Sequence, residues 1–271
     1  MELSGDLSFV NLIGSGGAIA PSLLAVALWE MLWPEHKSIV PFLLRWVSNF
    51  SLFAVSLGLT ALLAPTLAFI TNSALEHSPL RWAPGQFGFW MHLAYACLVL
   101  DGLNYALHRA MHQIPLLWRL HALHHTDVSL DVSTMVRHHP LEAIVAAFFI
   151  GVLGALLGCS ALEVAFYGVL ETGVQVLGHA DVRLPSWLKR VSHTILVTPA
   201  FHRIHHSSES VETDSNYGQA FAFWDRLFGS CGGYADDTRG AVEFGLKMFR
   251  DDQSQRFDQL LLLPLKVGRA D

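Results

Sequence analysis

The chain alternates long apolar stretches with short polar ones. Residues 9–33 run from Phe9 to Trp33, with Trp29 and Trp33 near one end, and residues 46–70 carry no charge. Residues 87–107 form a third stretch, interrupted by His92 and Asp101. A helix that crosses a bilayer needs about 20 mostly apolar residues, and tryptophan favours its ends. These three stretches are therefore predicted as spanning helices. Residues 141–158 and 161–178 are each slightly short for a span and are separated by Cys159-Ser160. They are predicted as a helical hairpin that starts and ends on one side. Residues 241–263 read as an amphipathic helix ending at Pro264 and lying on the membrane surface.

Composition agrees with this pattern. The chain has 271 residues, 52% hydrophobic and only 15% charged, where soluble domains carry about 25% charge. The formal net charge is −6, so no basic field exists to hold nucleic acid. Cys97, Cys159 and Cys231 form no CxxC pair, which argues against a disulfide framework or a thiolate zinc site. The Gly14–Gly17 segment follows no predicted strand, which excludes a dinucleotide loop there. Lys37, Arg45 and most other basic residues fall in 34–45, 108–140 and 180–271, which places those segments in the cytoplasm. The expected organisation is 1–86 as N-terminal transmembrane helices, 87–240 as a histidine-rich catalytic region containing the hairpin, and 241–271 as a C-terminal helix and tail.

Histidine changes the picture most. There are fifteen, nearly as many as the 17 Lys and Arg together. His108 and His112 are spaced i, i+4. His121, His124 and His125 form an HxxHH string, and His202, His205 and His206 form a second. Residues three or four apart share a helix face, so two imidazoles of each string can grip one cation and the third can reach a second. Eight clustered imidazoles exceed the needs of one metal, and imidazole suits iron, zinc, copper or nickel. No HExxH or ExxH string exists, which removes the usual zinc-protease and ferritin-like patterns. His139 and His179 are further expected ligands or supports. Asp101 and Asn104, on one stripe with Tyr105, His108 and His112, are expected to orient ligand N–H groups. His36, His77 and His92 are isolated. The roles of His138, Glu142, Glu171, Gln175 and His193 stay open.

These residues together resemble the fatty acid hydroxylase, or sterol desaturase, superfamily of membrane oxygenases. The family's HxxxH box matches His108 and His112, and its HxxHH box matches His121, His124 and His125. Its RxHPxE element matches Arg137, His139, Pro140 and Glu142, and its lone histidine matches His179, although Asp181 stands where Asn is usual. TPxxHRxHH matches Thr198 to His206. NYGxxxxxWDxxFG matches Asn216, Tyr217, Gly218, Trp224, Asp225, Phe228 and Gly229, with Ser230 in place of Thr. The wording around 198–229 resembles that of bacterial sterol-desaturase-like proteins and of alkylglycerol monooxygenase.

The resemblance implies an all-α, multi-pass membrane protein, of the bacterial cytoplasmic membrane or the endoplasmic reticulum, with a cytosolic histidine-rich cap. It implies two iron ions held by His108, His112, His121, His124, His125, His139, His179, His202, His205 and His206, replaceable by zinc in purified protein. It further implies O₂-dependent hydroxylation or desaturation of a lipid chain or sterol. No haem, flavin or nicotinamide signature is present, so the electron donor is expected to be external. Two other readings stay open at this point: a zinc-dependent membrane hydrolase using Glu142 or Glu171 as base, and a non-enzymatic metal-binding membrane protein.

Overall fold

The computed structural model describes residues 19–34, 42–80, 88–182, 184–185, 195–233 and 242–268. Among them the regular elements are all helical. They are α1 (Ile19–Leu32), α2 (Phe42–Glu76), α3 (Phe89–Gln113), α4 (Pro115–His125), α5 (Pro140–Leu156), α6 (Ala161–His179), α7 (Pro199–His205), α8 (Ser210–Thr213), α9 (Phe223–Leu227) and α10 (Phe257–Leu261). Short 3₁₀ turns cover Val132–Val136 and Leu263–Leu265. The all-α expectation agrees with this. His36 and His193 lie outside the described residues, as do 9–18 of the first expected span and the Gly14–Gly17 segment.

The spans differ from expectation. Among the described residues only Leu43–Glu76, within α2, is long and apolar enough to cross a bilayer. Two of its apolar side chains, Leu62 and Phe69, are three-quarters exposed. The expected third span is one continuous helix, α3, but it is not apolar throughout. It turns Asp101, Tyr105, His108 and His112 inward, where all four are buried. The expected hairpin is present as α5 and α6, joined through Gly158, Cys159 and Ser160. Ser160 starts α6 with a capping box, accepting from the Glu163 N–H while Glu163 accepts from the Ser160 N–H. The two arms are splayed: α3 packs against both, α2 covers α5, and α1 covers α6. Ala96, Leu100, Tyr167 and Val174 fill the core at this junction.

The C-terminal segment also departs from the sequence reading. Residues 242–256 are turns and bends, and only Phe257–Leu261 is helical. Gly245 sits at φ +87°, and a Cβ there would lie 2.9 Å from Val128 Cγ1; Phe249 also has positive φ. A continuous helix is incompatible with that path. The segment folds inward, and Leu260, Leu263 and Val267 close a core with Leu52, Trp118 and Leu123.

Buried ionic groups join these parts. Arg45, at the foot of α2, donates to both carboxylate oxygens of Asp127 (2.7 and 2.9 Å), to Asp131 (2.7 Å) and to the Ser129 carbonyl. Arg137 donates to Asn49 on α2 (2.9 Å), to Thr126 (2.7 Å) and to Gln255 in the C-terminal segment (2.8 Å). Burial alone would raise the Asp127 carboxyl, but Arg45 and Arg137 outweigh it and hold the group below the usual carboxylate range. Removing one partner from such a network strands the other charge. We predict that Arg45→Met destabilises the fold by about 3–5 kcal/mol, read as thermal unfolding in detergent. Asp131→Asn should cost less, because Asp131 is partly exposed. Equal melting of both variants and the wild type would contradict this account.

Candidate metal centre

Three of the helices that build the centre begin with proline. Pro115, Pro140 and Pro199 start α4, α5 and α7, where a missing N–H costs nothing. Thr198 caps α7 by accepting from the Phe201 N–H. That short helix presents His202, His205 and His206. α3 contributes His108 and His112, α4 contributes His121, His124 and His125, and α6 ends in His179.

The nine imidazoles form two buried groups. Ligand nitrogens of His108, His112, His121, His125 and His205 lie within 4.8 Å of one another, and so do those of His124, His179, His202 and His206. Each HxxHH string divides as its spacing suggests. His121 and His125 stay together while His124 enters the other group; His202 and His206 stay together while His205 crosses over.

Protonation follows from the outward contacts. A carbonyl or carboxylate oxygen can only accept, so the facing nitrogen carries the hydrogen. Nδ1 of His108 donates to the Tyr217 carbonyl (2.8 Å), that of His205 to Ser215 (2.7 Å), that of His179 to Gln175 (2.8 Å) and that of His124 to Arg137 (3.3 Å). Nδ1 of His121 donates to Glu142 (2.8 Å) and that of His112 to Asp214 (3.1 Å). Their Nε2 atoms are left with bare lone pairs that point inward. In the first group His108 Nε2 lies 3.1 Å from His121 Nε2 and 3.0 Å from His205 Nε2. In the second, His179 Nε2 lies 3.1 Å from His124 Nε2 and 2.9 Å from His202 Nε2. Paired lone pairs at that distance repel unless a cation lies among them. The donor set therefore suits two metal ions of the imidazole-preferring kind, one per group.

Burial, above all, disfavours the protonated form. It holds His108, His112, His124, His125, His202 and His206 well below the usual histidine range, and His179 and His205 down to about 3. His138 behaves differently. Burial would lower it too, but the Glu142 carboxylate outweighs burial and raises it.

The remaining expected residues fall in three places. His139 is not brought to either group. It caps α5, where its Nδ1 accepts from the Leu141 N–H, and its Nε2 faces the Leu261 carbonyl at 3.2 Å. Both ring nitrogens are thus engaged, and the ligand role expected for it gives way to a structural one. The residue before a proline is restricted to extended backbone, which suits an N-cap. Its neighbour His138 faces the site instead, stacked on His124 with ring centres 4.4 Å apart and bonded to Glu142 (2.9 Å).

Asp101 and Asn104 do not touch the ligands. Asp101 accepts from Tyr167 Oη (2.7 Å), the Ala220 and Phe221 N–H groups (2.9 and 3.2 Å) and Trp224 Nε1 (2.8 Å), and Asn104 donates to Tyr167 Oη (3.0 Å). Their effect on His108 passes through the loop that carries Tyr217. Asp225 holds the same loop by accepting from the Tyr217 and Gly218 N–H groups (both 2.8 Å). A Cβ on Gly218 would meet the Phe221 carbonyl oxygen at 2.7 Å, so only glycine fits there. Asp181 pairs with Arg203 (3.2 Å), the neighbour of His202. Asp214 and the Ser215 and Tyr217 carbonyls were not foreseen, because loop contacts leave no spacing signal.

A cavity of about 60 Å³ adjoins both groups. It is lined by His108, His121, His124 and His202 together with Met135, His138, Glu171, Gln175 and Gln219.

The geometry defines a helical protein with a buried double histidine site. The sequence comparisons specify it further. The fatty acid hydroxylase family model matches residues 93–230, just over half of the chain, and the chain belongs to that family. It is 27% identical over 164 residues to ornithine lipid hydroxylase of Rhizobium tropici, covering 60% of this chain and 48% of that protein. It is 31% identical over 140 residues to alkylglycerol monooxygenase of Caenorhabditis elegans, covering 49% of this chain and 25% of the relative. Sphinganine C4-monooxygenase 1 of Arabidopsis thaliana is 29% identical over 202 residues, covering 71% and 74%. The chain thus spans half or less of the first two relatives. No solved structure matches it.

Two predictions follow from the geometry. Buried imidazoles held below their unfolded value of about 6.5 make the unfolded chain bind more protons, so stability is present above that pH and lost as pH falls through it. The metal-free protein should melt at progressively lower temperature from pH 7.5 to pH 5.5, the opposite of a fold held by charged histidines. Separately, His139→Ala should keep the full metal content and lose about 1 kcal/mol of stability, as for a lost N-cap, whereas His205→Ala should lose metal from the first group. Elemental analysis with thermal unfolding separates the two; metal loss in His139→Ala would restore it as a ligand.

Proposed function

We propose that this protein is an O₂-dependent, multi-pass membrane enzyme that oxidises a C–H bond of a lipid, with the histidine groups on the cytosolic side. The carrying observation is the pair of converging Nε2 sets beside a cavity, at the foot of an exposed apolar helix, in a chain of the fatty acid hydroxylase family. The relatives named as lipid hydroxylases and monooxygenases support the same reading.

His108, His112, His121, His125 and His205 would hold one iron ion, and His124, His179, His202 and His206 the other. Bound iron supplies the redox chemistry with O₂ that an unactivated C–H bond demands and that zinc lacks. The chain's own residues do the rest. The outward Nδ1–H bonds of His108, His112, His121, His124, His179 and His205 fix the tautomer and orientation of those six rings before any ligand arrives. Glu142 holds His121 and His138 together. The lipid enters from the side of the exposed apolar helices, and its reacting carbon reaches the cavity, whose burial excludes bulk water. Electrons come from an external donor.

The test is iron-loaded protein in lipid bilayers with a chemical reductant and O₂, followed by mass spectrometry of the lipids. Oxygenated lipid should form with the wild type and fall to background in His124→Ala and His205→Ala. Product that survives both substitutions would sink the assignment. Glu142→Gln should keep the fold while weakening metal affinity roughly 10- to 100-fold, the usual effect of losing a partner behind a ligand.

A further inference from the structure

Besides four of the clustered histidines, the cavity is lined by Met135, His138, Glu171, Gln175 and Gln219, and one of these polar side chains is idle. Gln175 donates to the Gln219 carbonyl, the Gln219 side chain lies against His108, and His138 is bonded to Glu142. Glu171 lines the same cavity, yet its carboxyl receives no hydrogen bond from any described residue. It lies one turn before Gln175 and two before the ligand His179 on α6, so it shares their helix face. Among the described lining residues Met135 alone has an apolar side chain.

Size narrows what enters. At about 60 Å³ the cavity is far below the ~300 Å³ of a pocket that encloses a whole drug-sized ligand. It has room for the reacting carbon and its immediate neighbours. A bare methylene chain placed there would bury the unpartnered carboxyl and leave it unsatisfied, which is costly. A substrate that brings its own donor would satisfy it.

We propose that Glu171 determines specificity by accepting a hydrogen bond from a hydroxyl or N–H of the lipid close to the carbon that is oxidised. The substrates are then lipids attacked beside a polar group, and not in mid-chain. This rests on the lipid-oxidation reading given above and adds the position of attack. Sites built to bond a substrate hydroxyl reject analogues without it far more strongly than apolar pockets reject an extra group.

The test uses two probes that differ only in donor hydrogens: 1-O-dodecylglycerol and its 2,3-di-O-methyl ether. Full-length protein loaded with zinc, which cannot turn over, is titrated with each in detergent micelles, and binding is read by tryptophan fluorescence. The wild type should bind the diol at least tenfold more tightly than the ether. Glu171→Leu should abolish or invert that preference, and the isosteric Glu171→Gln should reduce it several-fold while keeping the wild-type melting temperature and metal content. Equal binding of the two probes by the wild type, or a preference unchanged in both variants, overturns the proposal. The underlying reading is judged separately by lipid oxidation in the iron-loaded wild type. Oxidation without donor preference removes only the role of Glu171, whereas preference without oxidation removes the oxygenase reading and leaves a donor-selective lipid site.

Discussion

Nitrogen lone pairs about 3 Å apart repel, and this protein gathers them into two buried groups. The surrounding architecture answers to that constraint. An imidazole presents a bare Nε2 only when its hydrogen is on Nδ1, and a buried Nδ1–H needs an acceptor. The acceptors come from every side: Tyr217 and Ser215 in a loop, Gln175 within α6, Arg137 after the 3₁₀ turn, Glu142 at the start of α5 and Asp214 after α8. None lies in the same string as the histidine it holds. The loop acceptors are in turn fixed by Asp101, Asp225 and Trp224, which explains buried carboxylates that touch no ligand.

A second buried network ties the oily part of the molecule to this site. Arg45 and Asn49 sit at the foot of α2, ahead of its exposed apolar length, and reach Asp127, Asp131 and Arg137. Arg137 also donates to the carbonyl of Leu123, between His121 and His124 of α4, and offers its own carbonyl to His124. The exposed apolar helix and the histidine shell therefore share one rigid joint. Gln255 extends the joint to the C-terminal segment, accepting from Arg137 and donating to the Thr126 carbonyl.

The sequence was most legible where a short-range period carries the information. HxxxH and HxxHH spacing picked out the histidines that converge and divided each triplet between two groups, because a helix fixes which side chains share a face. Cys159-Ser160 marked the turn between α5 and α6. Legibility fell where long-range contacts decide. His139 looked like a ligand by its neighbours, but Pro140 forces it into an extended cap, and His138 takes the inward place. The 87–107 stretch read as an apolar span, and the structure adds that α3 turns a polar face into the core. Residues 241–263 had a helical pattern, but Gly245 and Phe249 adopt left-handed backbone and turn the segment inward. Apolar period alone cannot distinguish a face buried by protein from one buried by lipid.

The same repulsion bears on how the protein is assembled. Without metal, folding must bury the imidazoles neutral and face their lone pairs toward one another, with His125, His202 and His206 each leaving a buried Nδ1 that has no partner among the described residues. Neither penalty exists in the unfolded chain, where water satisfies every ring. A cation removes the first penalty, so part of its binding energy becomes folding energy. The rest of the fold must still hold the rings close to position beforehand, since ligands arrive from α3, α4, α6 and α7, which are far apart in the chain. The buried arginine network, which contains no histidine side chain, supplies that prior order. The two networks thus divide the work: ion pairs set the positions of the helices, and a bound cation would relieve the strain of the rings that those positions bring together.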